Sequence, residues 1–173
     1  MKYLKLINFL PMSIMLLFLS GCPKRPVVKP TEEPTKIVPT TDVEEPSIRE
    51  GDEFQSIPEL KVIHFDFDRY DLTEKAKEIL KENAQYLKAH PELEILVEGH
   101  CCECGTNEYN LILGQKRALT VRDYYISLGI DPGRIATISY GEEKPINKNA
   151  GPPDSPLCAP NRRVETKVRL KKD

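Results

Sequence analysis

The sequence predicts an α+β fold: a two-layer sandwich with two helices packed on one face of a mixed four-stranded sheet, in the order βαβαββ. Three observations predict it. Four segments alternate apolar and polar side chains with the period of strands, and two longer segments repeat apolar side chains at helical steps of three and four. Between them stands one sharp junction, where an apolar strand ends at Gly99 and a helix opens behind Thr106.

The chain opens with Lys2 and Lys5, followed by a mainly apolar run over residues 6–19 that contains Asn8 and Pro11. That run is short of the roughly 20 residues a membrane-spanning helix needs, so residues 1–21 read as a secretory leader. Leu19, Ser20, Gly21 and Cys22 resemble the bacterial lipobox, which implies diacylglycerol on the Cys22 thiol. Two or more acyl chains hold where one holds only marginally. The expectation is a protein held on a membrane without spanning it, and the absence of an Asp behind the cysteine, where Pro23 stands, favours the outer membrane. Residues 22–53 are rich in Pro, Thr, Glu and Lys with no apolar period, the composition of an extended tether. At about 3.1 Å per residue it would reach on the order of 100 Å.

Residues 54–173 read as the folded domain. Val62, His64 and Asp66 alternate with Ile63, Phe65 and Phe67 as a first strand. Asp68, Asp71 and Thr73 open a helix with Ala76, Ile79, Leu80, Ala84 and Leu87 on its apolar stripe, and His90-Pro91 ends it. Leu93, Ile95 and Val97 alternate with Glu94, Leu96 and Glu98 in a second strand with one buried face. Thr106 caps the second helix, whose stripe is Leu113, Ala118, Val121, Tyr125 and Leu128, and Gly129 offers a left-handed stop. Asp131-Pro132-Gly133 turns the chain into a third strand over 135–140, and Val164, Thr166, Val168 and Leu170 alternate as a fourth. The loop over 144–160 carries five prolines and ends near Cys158; loops of this length in compact domains tend to be functional or disordered.

A formal net charge of −2 with no basic block excludes a nucleic-acid partner. No Gly-x-Ser-x-Gly or HExxH pattern occurs, so nothing points to a hydrolase, and no enzymatic activity or cofactor is expected. A strand leading into a capped helix start is a natural seat for an anionic group.

Residues 98–118, EGHCCECGTNEYNLILGQKRA, followed by SYGEEKP and NRRVE, resemble the OmpA-like peptidoglycan-binding domain in its peptidoglycan-associated lipoprotein (Pal) branch. The resemblance runs from about residue 60 to 170. It implies non-covalent binding of peptidoglycan, a link between outer membrane and cell wall facing the periplasm, and Tol-system partners, TolB above all. The ligand it implies is the diaminopimelate side chain of the stem peptide, whose end carries an ammonium and a carboxylate on one carbon. Such a site needs an acidic acceptor and a planar cationic donor. By resemblance the binding residues are Phe67, Asp68, Cys102, Thr106, Asn110 and Arg117. The two key roles fall on Cys102, where the family has Asp, and on Arg117. A thiol is mostly neutral near pH 7 and does not replace a carboxylate; Glu103, Asp68 and Asp66 are the candidates for the missing charge. Arg117 lies about 16 Å along the helix from Thr106 at 1.5 Å per residue, so the 101–105 loop must fold back for the two to meet.

Four cysteines besides Cys22 leave three readings open. Outside the cytoplasm they can form disulfides, and a bridge to Cys158 from Cys101, Cys102 or Cys104 would close a loop of roughly 55 residues, about 4 kcal/mol in the chain-entropy model. The resemblance favours Cys101 with Cys158. Alternatively, Cys101 and Cys104 have the spacing of a redox pair at a helix start, where a dipole lowers thiol pKa. Finally, His100, Cys101, Cys102, Cys104 and Cys158 offer soft ligands for zinc. A redox or metal-handling lipoprotein on the same scaffold is therefore the contrasting function.

Overall fold

A computed structural model of the chain describes residues 53–171. The leader, Cys22 and the tether, apart from Glu53, lie outside the described residues. Strand β1 is Ile63–His64, helix α1 Glu74–Ala89, strand β2 Leu93–His100, helix α2 Asn107–Ser127, strand β3 Ile135–Gly141 and strand β4 Arg163–Leu170. The sheet order is β1-β4-β2-β3, with β1 and β2 antiparallel to β4 and β3 parallel to β2. The predicted two-layer α+β sandwich is the fold observed. Among the described residues no helix is long and apolar enough to cross a membrane.

Both helices begin where a threonine offers its hydroxyl. Thr73 Oγ1 accepts from the Ala76 amide, and Thr106 Oγ1 from the Tyr109 amide, each at 3.2 Å. Helix α1 stops at His90, and its last carbonyls are met from across the fold: Arg134 donates to Leu87 O at 3.1 Å and His90 O at 2.7 Å. Helix α2 stops at Gly129, whose φ of 91° only glycine adopts freely. The helices and the facing side of the sheet share a core of Ile63, Leu80, Leu87, Ile95, Val97, Val121, Tyr125, Ile135 and Val164, all fully buried.

Three departures from the sequence expectation have clear causes. The first strand is two residues long, because past Phe65 the chain turns away, with Asp68 in the left-handed region at φ 55°. A backbone pairing precedes the first predicted strand: Gln55 exchanges backbone hydrogen bonds with Val168 at 2.9 and 3.0 Å, on the side of β4 that β1 also pairs with. Strand β2, expected to bury one face, buries both from Ile95 onward, because it lies between β3 and β4. On its outer face Glu98 pairs with Lys167 Nζ at 2.9 Å, and the His100 ring stacks on Tyr140 with centroids 5.6 Å apart.

Candidate functional site

Where β2 ends, the chain does fold back along α2, as the helix geometry demands. Cys101 N–H donates to Gly141 O at 2.7 Å, its thiol to Asn110 O at 3.3 Å, and Asn110 Nδ2 donates to Cys102 O at 3.2 Å. The fold-back leaves a cavity of about 280 Å³ between this loop, the turn after β1 and the proline-rich loop. Phe67 and Asp68 line it from the turn, Cys101, Cys102, Cys104 and Gly105 from the loop, Tyr109, Asn110, Leu113 and Arg117 from α2, and Pro153 and Arg162 from the far side.

Five of the six predicted binding residues, Phe67, Asp68, Cys102, Asn110 and Arg117, thus surround one cavity, while Thr106 caps the helix outside it. Of the three candidate acids only Asp68 lines the cavity, where it accepts from the Tyr109 hydroxyl. Glu103 points to the proline-rich loop and accepts from Asn149 N–H at 2.9 Å, and Asp66 contributes a backbone carbonyl. Tyr109 and Arg162 were not among the predicted residues. Nothing local marked them, although Arg162 stands in the NRRVE motif.

The two arginines differ in how much of each guanidinium remains for a ligand. Arg117 is fully buried: Nε donates to Arg69 O at 2.9 Å, Nη1 to His100 O at 2.9 Å and to Cys101 Sγ at 3.4 Å, and Nη2 to Asp66 O at 3.2 Å. Its face lies 5.2 Å from the centre of the Phe65 ring. Four of its five N–H groups are committed within the protein, and burial, partly opposed by Cys101 and Cys102, lowers its pKa. Arg162 is half-buried and commits two, Nε to Phe65 O at 3.1 Å and Nη1 to Pro153 O at 3.2 Å. It keeps a free edge at the cavity.

The cysteines separate into one and three. Cys101 is packed between Asn110 and Arg117, where burial outweighs the Arg117 charge and pushes its thiol up to about 11. Cys102, Cys104 and Cys158 form a group, their sulfurs all within 4.8 Å of one another, with Cys104 Sγ and Cys158 Sγ 3.4 Å apart. Burial first, then the neighbouring thiols, pushes Cys104 up to about 12. A helix-start dipole that lowers thiol pKa, the basis of the redox reading for Cys101 and Cys104, is therefore overridden by desolvation. The five-residue metal set is not brought together either. Cys101 stands outside the three-sulfur group, and His100 lies with Glu98 and Glu165 on the outer face of the sheet. All four thiols are free, and the sulfur touching Cys158 is that of Cys104, whereas Cys101 faces α2.

Comparison with known proteins agrees with this architecture. The OmpA family model matches residues 64–156. The chain is 49% identical over 83 residues to the peptidoglycan-associated lipoprotein of Haemophilus influenzae, covering 48% of this chain and 54% of that one. It is 45% identical over 84 residues to that of Brucella melitensis, covering 49% and 50%. The chain thus spans about half the length of the curated relatives it matches. Among solved structures, the peptidoglycan-associated lipoprotein from Burkholderia pseudomallei superposes with a TM-score of 0.58 at 41% identity, covering 62% of this chain and 89% of that one. The C-terminal domain of Helicobacter pylori MotB, 22% identical with a TM-score of 0.56 over 64% and 85%, shares the fold.

Proposed function

The chain belongs to the OmpA family, on its peptidoglycan-associated lipoprotein branch, and from that premise we propose that it binds peptidoglycan non-covalently and ties the outer membrane to the cell wall. It is a binding module without catalytic activity, anchored through lipid on Cys22 with its domain in the periplasm. Its protein partners on this reading are Tol proteins, TolB above all.

One observation carries the ligand chemistry: a single cavity has the carboxylate of Asp68 on one wall and the guanidiniums of Arg162 and Arg117 on others. A group with an ammonium and a carboxylate on one carbon, as at the end of diaminopimelate, meets both needs at once. Asp68 takes the ammonium, replacing the acid that Cys102 does not supply. Arg162 offers its free edge to the carboxylate, and Arg117 adds its charge from behind the cavity wall; Asn110 holds the loop that closes the site. Thr106 serves by setting the start of α2.

The test is co-sedimentation of the full chain with purified sacculi, with free diaminopimelate as competitor. Arg162→Ala and Asp68→Asn are each expected to weaken sedimentation at least tenfold, since a charge-assisted hydrogen bond is worth about 1.5–3 kcal/mol. Wild-type protein that stays in the supernatant with every wall preparation would refute the reading.

A further inference from the structure

We propose that Cys102, Cys104 and Cys158 form a three-sulfur site for a monovalent copper ion, which fastens the proline-rich loop to the loop at the end of β2. The three sulfurs already lie within 4.8 Å of one another, and the closest pair is 3.4 Å apart. Three thiolates about 2.3 Å from a common centre stand about 4 Å from each other, so the ion needs only small shifts of the side chains. Cys102 and Cys158 are buried and Cys104 half-buried, which shields the site from bulk water.

The backbone beneath each sulfur is fixed before any ion arrives. Cys104 N–H donates to Cys102 O at 2.7 Å, closing a tight turn that presents both side chains, and Asn110 Nδ2 holds the same carbonyl at 3.2 Å. On the other loop, Cys158 N–H donates to Ser155 O at 3.0 Å and its carbonyl accepts from Asn161 N–H at 3.1 Å. Glu103 and Asn149 join the two loops beside the sulfurs at 2.9 Å. Ligands held by their supporting backbone make a site rather than a chance approach.

The donor set selects the ion. Sulfur ligands favour soft cations, chiefly cuprous copper and zinc. Structural zinc is almost always four-coordinate, and among the described residues no fourth Cys, His, Asp or Glu joins the group. Cuprous copper accepts three sulfurs in a plane. On binding, the thiols release their protons to solvent and no electron is transferred.

The experiment adds Cu(I), under nitrogen, to the reduced full chain in the presence of a chromophoric Cu(I) chelator, with zinc in a parallel series. One copper per chain is expected to stay with the protein, and X-ray absorption should show three sulfurs at about 2.3 Å. Cys104→Ser and Cys158→Ser should each weaken retention by more than the roughly 100-fold that loss of a supporting residue costs, and Cys101→Ser should leave it unchanged. The absorption spectrum needs no variant, so it decides even where a substitution unfolds the chain. Copper lost wholly to the chelator, retention indifferent to Cys158→Ser, or zinc held more tightly than copper would each overturn the assignment.

Discussion

Gly99 of β2 and Gly114 of α2 meet backbone to backbone: a methyl group on Gly99 would lie 2.0 Å from the Gly114 carbonyl oxygen, and one on Gly114 would lie 2.3 Å from Ser139 Oγ. The helix therefore rides directly on the strand. One turn further along α2, Arg117 comes close enough for its Nη1 to donate to His100 O at 2.9 Å. The two alanine substitutions should differ. Gly99→Ala meets backbone, which cannot step aside, and is expected to cost about 3 kcal/mol or more. Gly114→Ala meets the Ser139 hydroxyl, which can turn aside only by giving up the bond it accepts from Gly141 N–H at 3.2 Å, and its methyl would stand 3.1 Å from Gly99 O; the helix gains up to about 1 kcal/mol in propensity, so its cost should be smaller than that of Gly99→Ala. Urea unfolding checks both, and a Gly99→Ala protein within experimental error of wild type would contradict the close approach.

Asn83 ties α1 to the chain before β1 and to α2. Its Oδ1 accepts from Lys61 N–H at 2.9 Å, and its Nδ2 donates to Lys61 O at 2.8 Å and to the Tyr125 hydroxyl at 3.2 Å. That hydroxyl in turn meets Thr166 Oγ1 on β4 at 3.0 Å. Asn83 and Tyr125 are both fully buried. Asn83→Ala strands the groups it served and should cost about 2–4 kcal/mol, against about 1 kcal/mol for Tyr125→Phe. A double-mutant cycle should return a coupling larger than about 0.5 kcal/mol; strict additivity would show that the network does not act as a unit.

Features that depend on neighbours along the chain were legible before the fold was known. Thr73 and Thr106 as caps, Gly129 as a stop and the apolar stripes of both helices all act within a turn or two of themselves. What was hidden depends on distant parts of the chain. Tyr109 looks like a helix surface residue until Asp68 is placed beside it, and Arg162 like a loop charge until Pro153 and the turn after β1 arrive. The spacing of Cys101 and Cys104 pointed to a pair of thiols, yet the loop turns one sulfur toward α2 and the other toward Cys158. Burial of Glu98 was illegible for the same reason: alternation marks which residues share a face, not what covers it.

Arg117 and Arg162 should separate in a paired measurement of stability and binding. Arg117→Ala leaves the carbonyls of Asp66, Arg69 and His100 without their donor and should cost about 3 kcal/mol of stability along with wall binding. Arg162→Ala gives up two carbonyl contacts at a half-buried position, so its effect should fall more on binding than on folding. Lysine at 117 carries the charge but not the fork that spans three carbonyls, and should restore little. If Arg117→Lys recovered both stability and sedimentation, the guanidinium geometry would not matter.

Glu98 gives the fold an acid-sensitive joint. Its carboxylate is buried, and burial alone, the largest influence, would raise its pKa; His100 and Lys167 together outweigh that and hold it below the usual value of 4.5, with Lys144 adding to the effect. Lys167 Nζ lies 2.9 Å and His100 Nε2 3.6 Å from Glu98 Oε2. A carboxyl whose pKa is lower folded than unfolded binds fewer protons in the native state. Its contribution is thus fully present above pH 4.5 and lost as pH falls through the folded pKa. Thermal or urea unfolding from pH 7 down to pH 3 should show stability declining below about pH 4.5. Glu98→Gln should lower stability at pH 7 by about 1–3 kcal/mol, because Lys167 loses its buried partner, and should flatten the acid-side decline. A variant whose pH profile runs parallel to wild type would place the acid sensitivity on other carboxylates.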